Sequence, residues 1–201
     1  GVQVAAADTT GDGVAEIITG AGPSGGPHVR VFEFNGGALA ELASFYAYSE
    51  VFTGGVSVAG ADVDGDGLAE VITGAGPSGG PHVRVISLRG GSPTELIGFY
   101  AYSTMFTGGV HVAAADLTGD GKAEIITGAG PSVIKGGLTL NGAANLLAVN
   151  QNLPFSHVVQ AWDPATGAAT PGFPRATDDF QLVSQPAVAR VGGSGSGRQA
   201  I

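Results

Sequence analysis

The 201-residue chain has no cysteine, which removes disulfides and thiolate metal sites from its chemistry. Positive charge is also scarce, since 8 Lys and Arg face 17 Asp and Glu and leave a net charge of −9. Nucleic acid and anionic membrane surfaces both select basic faces, so both are disfavoured as partners. No apolar run approaches the roughly 18 residues that a membrane-spanning helix needs. No segment combines helical periodicity, an N-cap signal and a length near about 10 residues.

Glycine is what the chain has in abundance, with 36 residues against an average usage of roughly 7%. Collagen periodicity is absent, and an apolar fraction of 43% is too high for a disordered linker. A Gly-rich, apolar chain with little charge predicts many short strands joined by tight turns.

Self-similarity gives the organisation. Asp8-Thr9-Thr10-Gly11-Asp12-Gly13 returns as Asp62-Val63-Asp64-Gly65-Asp66-Gly67 and as Asp116-Leu117-Thr118-Gly119-Asp120-Gly121, 54 residues apart each time. Thr19-Gly20-Ala21-Gly22-Pro23-Ser24 recurs from Thr73 and Thr127, and Phe45-Tyr46-Ala47-Tyr48-Ser49 recurs from Phe99. Each period holds four strand-like runs, which in the first are Val2 to Ala7, Ala15 to Thr19, His28 to Phe34 and Leu42 to Tyr48. Four short strands per period of about 50 residues is the pattern of a β-propeller blade. The expected fold is therefore all-β, a propeller of four-stranded antiparallel blades forming a partial ring or one completed by an oligomer.

Residues 1–132 hold two and a half near-identical blades, and residues 133–201 read as diverged blade material of the same propeller. Ser156 to Trp162 predicts a strand closed by the turn Asp163-Pro164-Ala165-Thr166-Gly167. Pro186 to Val191 predicts the first strand of another blade.

The repeated acidic loops carry the chemistry. In the second copy Asp62, Asp64 and Asp66 stand at positions 1, 3 and 5, Leu68 at 7 and Glu70 at 9. Calcium takes six to eight oxygen ligands, and carboxylates so spaced converge only where glycines such as Gly65 and Gly67 let the backbone curl. A carbonyl oxygen serves at position 7, so Val14, Leu68 and Lys122 are free to differ there. An EF-hand shares the opening Asp-x-Asp-x-Asp-Gly but places its last acid at position 12 between helices, and neither feature is present. Asp and Gly also favour plain turns. Against that reading, the loops hold three, four and three acids, ten of the chain's 17, and such crowding without a cation costs repulsion in every copy. Three bound Ca²⁺ ions would bring the net charge from −9 to about −3.

These residues resemble the FG-GAP (VCBS-type) repeats of integrin α-subunit propellers and of many bacterial surface proteins. The resemblance implies ligands Asp8, Thr10, Asp12, the Val14 carbonyl and Glu16 in the first loop. In the second it implies Asp62, Asp64, Asp66, the Leu68 carbonyl and Glu70, and in the third Asp116, Thr118, Asp120, the Lys122 carbonyl and Glu124. That family usually carries Asp at position 9, where this chain has the longer Glu. Thr10 and Thr118 are neutral at position 3, which predicts weaker sites there. Residues 184–201 resemble the start of another blade, with Arg190, Gly192 and Ser194 in place of the acids, so that loop is not expected to bind calcium. The resemblance implies an extracellular or cell-surface protein of bacterial type, serving adhesion or scaffolding through a protein or glycan ligand. A carbohydrate-binding accessory propeller of an extracellular enzyme and a subunit of a surface filament or layer are the alternatives.

Two enzyme-like motifs fail on context. Gly22-Pro23-Ser24-Gly25-Gly26 fits G-x-S-x-G, and Gly20 to Gly25 fits G-x-G-x-x-G. Both require a helix immediately afterwards, whereas Pro27 to Phe32 reads as a strand. Both recur one period later, as a scaffold turn does, so no catalytic residue is expected. His28 with Arg30, repeated as His82 with Arg84, predicts a structural pair bracing the neighbouring Gly-Pro turn. Tyr46 with Tyr48, repeated as Tyr100 with Tyr102, predicts inter-blade packing. Self-association through open blade edges is the remaining partner expectation.

Overall fold

A computed structural model describes residues 1–134, 138–141, 157–177, 189–190 and 199–200. The first sheet runs β1 (Val2–Ala7), β2 (Glu16–Ala21), β3 (His28–Asn35) and β4 (Ala38–Tyr46), each antiparallel to the next. The second repeats it with β5 (Val56–Ala61), β6 (Glu70–Ala75), β7 (His82–Ser87) and β8 (Thr94–Tyr100). The third opens with β9 (Val110–Ala115) and β10 (Glu124–Ala129). A separate hairpin of β11 (Pro131–Ile134) and β12 (Leu138–Asn141) follows. The third sheet is then completed by β13 (His157–Trp162) and β14 (Arg175–Thr177). These are consecutive β-propeller blades in meander order, and the chain is all-β.

Two of these elements lie differently from the expectation. β4 begins at Ala38, ahead of the expected Leu42, because Gly36 and Gly37 sit at positive φ of 60° and 97° and close a two-residue hairpin in which Asn35 faces Ala38. Such turns need φ > 0 at both central residues, which glycine adopts without cost. β2 runs through Gly20 to Ala21 where a stop at Thr19 was expected, because Gly20 and Ala21 pair with Gln3 and Val2 of β1, and the glycine marks a close approach of the next blade. A Cβ there would lie 2.8 Å from the Val56 carbonyl oxygen and from a Val58 methyl.

The strand predicted over 156–162 is β13, and its closing turn forms as expected, with the Asp163 carboxylate accepting from the Ala165 N–H at 2.8 Å. It pairs with β10 through Thr127↔Gln160 and so serves as the third strand of the third blade. From the segment predicted to start another blade, β15 (Ala189–Arg190) pairs with β16 (Gln199–Ala200). Gly192 and Ser194 lie outside the described residues.

Blades stack face to face, and the core lies between them. Val56, Val58 and Val71 of the second blade press on Ile18, Val29 and Val31 of the first, all of them buried. Val110, Val112 and Ile125 of the third blade meet Ile72, Val83 and Val85 of the second in the same way. The strands therefore send alternate residues to the preceding and the following blade, and β6, between two neighbours, is buried at every position from Glu70 to Ala75.

A tyrosine latches each pair of blades. The Tyr48 hydroxyl donates to the Thr73 carbonyl at 3.1 Å and to the His82 carbonyl at 2.8 Å. Tyr102 donates to the Thr127 carbonyl at 3.0 Å. The two tyrosines of each pair thus differ, since Tyr46 and Tyr100 remain about half exposed. The His and Arg pairs brace the fourth strand of their own blade and not the Gly-Pro turn. In the second blade they also reach the blade before, Arg84 donating to the Ala47 carbonyl and His82 lying 5.6 Å from the Tyr48 ring. His28 meets the Ser44 hydroxyl at 2.9 Å and lies 5.0 Å from the Tyr46 ring, while Arg30 pairs with Glu41.

Candidate metal centres

Each blade joins its first strand to its second through an acidic loop, and the loops sit side by side. The Ala69 N–H donates to the Asp8 carbonyl and the Ala123 N–H to the Asp62 carbonyl, so neighbouring loops are tied through backbone. The first aspartate shapes each loop. Asp8 accepts from Gly11 N–H at 2.6 Å and from Gly13 N–H at 2.8 Å, and both glycines are at positive φ. Asp62 holds Gly65 and Gly67, and Asp116 holds Gly119 and Gly121, in the same way. Burial pushes the Asp8 carboxyl up, but the backbone N–H groups around it outweigh this and hold it below its ordinary value. At position 5, Asp12, Asp66 and Asp120 each accept from the N–H of position 7, which are Val14, Leu68 and Lys122. Side chains at position 7 have no part in this, consistent with their free variation.

The position-9 glutamate begins the second strand and points back under the loop. Glu16, Glu70 and Glu124 are all buried. One oxygen of each is satisfied by a backbone N–H, from Thr9 at 2.7 Å, Val63 at 3.1 Å and Leu117 at 2.7 Å. The other oxygen separates the loops. Thr10 and Thr118 donate their hydroxyls to it at 3.4 Å in the first and third loops. In the second loop Asp64 takes that place and has no proton to give, so Glu70 Oε1 is buried without a partner. Burial, reinforced by Asp64, Asp66 and Asp62 and opposed by the Val63 N–H, pushes the Glu70 carboxyl up to about 7.

Two groups of three carboxylates bring their oxygens within 4.8 Å of one another among the described residues: Asp8, Asp12 and Glu16, and Asp62, Asp64 and Glu70. Each could hold a metal ion. The orphaned Glu70 oxygen is the observation that fits a cation best, since a buried polar group without a partner is costly. Asp66 stands outside the second group, with its Oδ2 2.9 Å from Arg89 Nη1. The third loop has the backbone pattern of the others, but Asp116, Asp120 and Glu124 do not converge as a group of three. Thr9, absent from the expected ligands, adds a second donor to Glu16, its hydroxyl lying 2.7 Å from Oε2. Thr at position 2 of the loop in place of Val63 or Leu117 was the signal for it.

Stacked four-stranded blades with an acidic, glycine-rich loop in the first hairpin define a repeat-built propeller protein with candidate metal-binding loops. Residues 8–73 match the FG-GAP-like repeat model and residues 108–144 match the FG-GAP repeat model. The chain is an FG-GAP-type repeat protein. No curated protein matches it. Among solved structures it is similar to the crystal structure of the exotype rhamnogalacturonan lyase YesX, at 18% identity and a TM-score of 0.45, over 84% of this chain. This chain spans 37% of that protein's length, and at that level the likeness says nothing about what this chain binds. Among the described residues no helix is long and apolar enough to cross a membrane.

Proposed function

We propose that this chain is a calcium-stapled propeller module of a secreted or cell-surface protein, acting in adhesion or as a scaffold and not in catalysis. One observation carries the calcium reading: the buried, partnerless oxygen of Glu70 beside the Asp62 and Asp64 carboxylates. Asp62, Asp64 and Glu70 would hold the ion in the second loop, and Asp8, Asp12 and Glu16 in the first. An all-oxygen set rich in carboxylate suits a hard cation, and the absence of His and Cys from both groups disfavours zinc or copper. The ion would neutralise the crowded acids and pin the hairpin to the blade, which stabilises the folded state alone.

The non-catalytic reading is supported by the repetition of each motif at blade spacing. Ser24 and Ser78 share one backbone conformation, with φ of 74° and 75°, in equivalent turns one period apart, and each turn leads into a strand where a nucleophile elbow leads into a helix. Adhesion or scaffolding is supported by the kinship with other FG-GAP repeats and by a net charge of −9, which disfavours nucleic acid as a partner. Thermal unfolding in calcium and in excess chelator tests the proposal. Calcium at about 100 times its dissociation constant adds about 2.7 kcal/mol per site, which raises the melting temperature by roughly 5–10 °C in a chain of this size. Identical melting curves would sink the calcium reading.

A further inference from the structure

The second loop carries the most acid, and positive charge flanks it. Asp62, Asp64, Asp66 and Glu70 give it four carboxylates, one more than either neighbour. Two of the chain's eight basic side chains lie against it. Arg89 comes from the β7–β8 connection of the same blade, with its Nη1 2.9 Å from Asp66 Oδ2. Lys122 comes from position 7 of the third loop and crosses the second. Its Cε lies 2.9 Å from where a Cβ on Gly65 would stand, and the ammonium is the next atom out. The first loop shows neither cation among the described residues. The apolar Leu68 covers its Gly11 in the same way, and the β3–β4 turn of that blade is Gly36-Gly37, with no side chain to send.

A difference in geometry goes with this difference in charge. Asp12 and Asp66 both stand at position 5, and each accepts on Oδ1 from the N–H of position 7. Asp12 joins the carboxylates of its loop, whereas Asp66 is left out of the group formed by Asp62, Asp64 and Glu70. Its Oδ2 is turned to Arg89 instead. A longer turn, Leu88 to Pro93, delivers the arginine on a held backbone. The Gly91 N–H donates to the Leu88 carbonyl at 2.9 Å, and the Arg89 N–H donates to the Ser87 hydroxyl at 3.3 Å. A backbone already held reduces the entropy lost when the ion pair forms.

We propose, on the calcium reading above, that Arg89 is a tethered counter-ion that sets the cation affinity of the second loop. Without an ion, Arg89 and Lys122 offset the crowded acids, and Arg89 keeps Asp66 aside. A divalent cation seated by Asp62, Asp64 and the partnerless Glu70 Oε1 takes Asp66 from Arg89. The released guanidinium, whose side chain is already 69% exposed, returns to water. The loop is thereby tuned to bind and release its ion, where four unpaired carboxylates would hold it more tightly.

The amide resonances of Gly65 and Gly67 report on this loop, so calcium titration of the metal-stripped 201-residue protein reads its affinity there. Arg89→Gln should tighten calcium at these amides by roughly two- to fivefold, the range that a surface ion pair covers, and Lys122→Gln by less. Arg89→Lys keeps the charge and should lie nearer the wild type. In chelator, Arg89→Gln should unfold at slightly lower urea, opposite in sign to its effect on binding, whereas a merely structural arginine would weaken both. With Asp66→Asn in place, Arg89→Gln should leave the affinity unchanged. Arg30→Gln makes the same charge change on the first blade and should not alter the affinity read at Gly65 and Gly67. Equal or weaker binding in Arg89→Gln would overturn the role given to Arg89. Wild-type amides that do not respond to millimolar calcium would instead overturn the calcium reading itself, and the competition with it.

Discussion

Replacing Glu70 by glutamine separates the two roles that the second loop gives this side chain. Glu70 is 0% exposed and one of its oxygens is unpartnered. In the metal-free protein its negative charge is a liability, expressed as a carboxyl pushed up from 4.5 to about 7. A group whose folded pKa is raised contributes stability that is fully present below the unfolded pKa and is lost as pH rises through the folded value. For Glu70 that window runs from about 4.5 to just above 7. A shift of that size corresponds to about 3 kcal/mol at most, at 1.36 kcal/mol per unit. Glutamine keeps an acceptor for the Val63 N–H and supplies an amide donor toward Asp64, without the charge. In chelator at pH 8, Glu70→Gln should therefore be more stable than the wild type by about 1–3 kcal/mol, with the advantage vanishing toward pH 5. In calcium the order reverses, because the variant loses a ligand charge. Urea unfolding at both pH values, with calcium and with chelator, reads this crossover. A variant equally destabilised under all four conditions would show that Glu70 is a packing residue and that the metal argument is mistaken.

Tyr48→Phe should cost about 1–3 kcal/mol in urea unfolding, since it leaves the carbonyls of Thr73 and His82 without their donor, while Tyr46→Phe at the exposed edge should stay within about 0.5 kcal/mol of the wild type. Ser78→Gly should raise stability by about 0.5–1 kcal/mol, because φ at this position is 75° and glycine adopts it freely. Ser24→Ala and Ser78→Ala should leave any hydrolytic background unchanged, and loss of a measurable activity would reopen the enzyme reading. Asp64→Thr should make the second loop resemble the first, lowering calcium affinity while relieving Glu70 in chelator, as calcium titration and melting together would register.

Much of the fold was legible because three copies of one period repeat the same alternation and the same turns. The position-9 glutamate was legible as well, since it recurs at a fixed distance from the first aspartate. Its burial in all three loops and the missing partner in the second were not, because spacing along the chain does not show that the glutamate turns back under the loop and meets the position-3 side chain there. Pairing between Asp66 and Arg89 was hidden for a different reason, as Arg89 lies on the far side of two strands in sequence. The third blade's outer half was legible as a strand but not as part of that blade, because the inserted β11–β12 hairpin separates it from β10 and local patterns carry no record of strand order. Gly20 and the Gly36-Gly37 pair had readable signals, an isolated glycine within a strand and a two-glycine turn. In each case the exact strand limit followed from the neighbouring backbone.

Isothermal titration of calcium into the metal-stripped 201-residue protein tests the central claim most directly. The account predicts saturable binding, tightest at the second loop, next at the first and weakest at the third, with Glu70→Gln removing the tightest site. Titration heats indistinguishable from dilution up to millimolar calcium would contradict it.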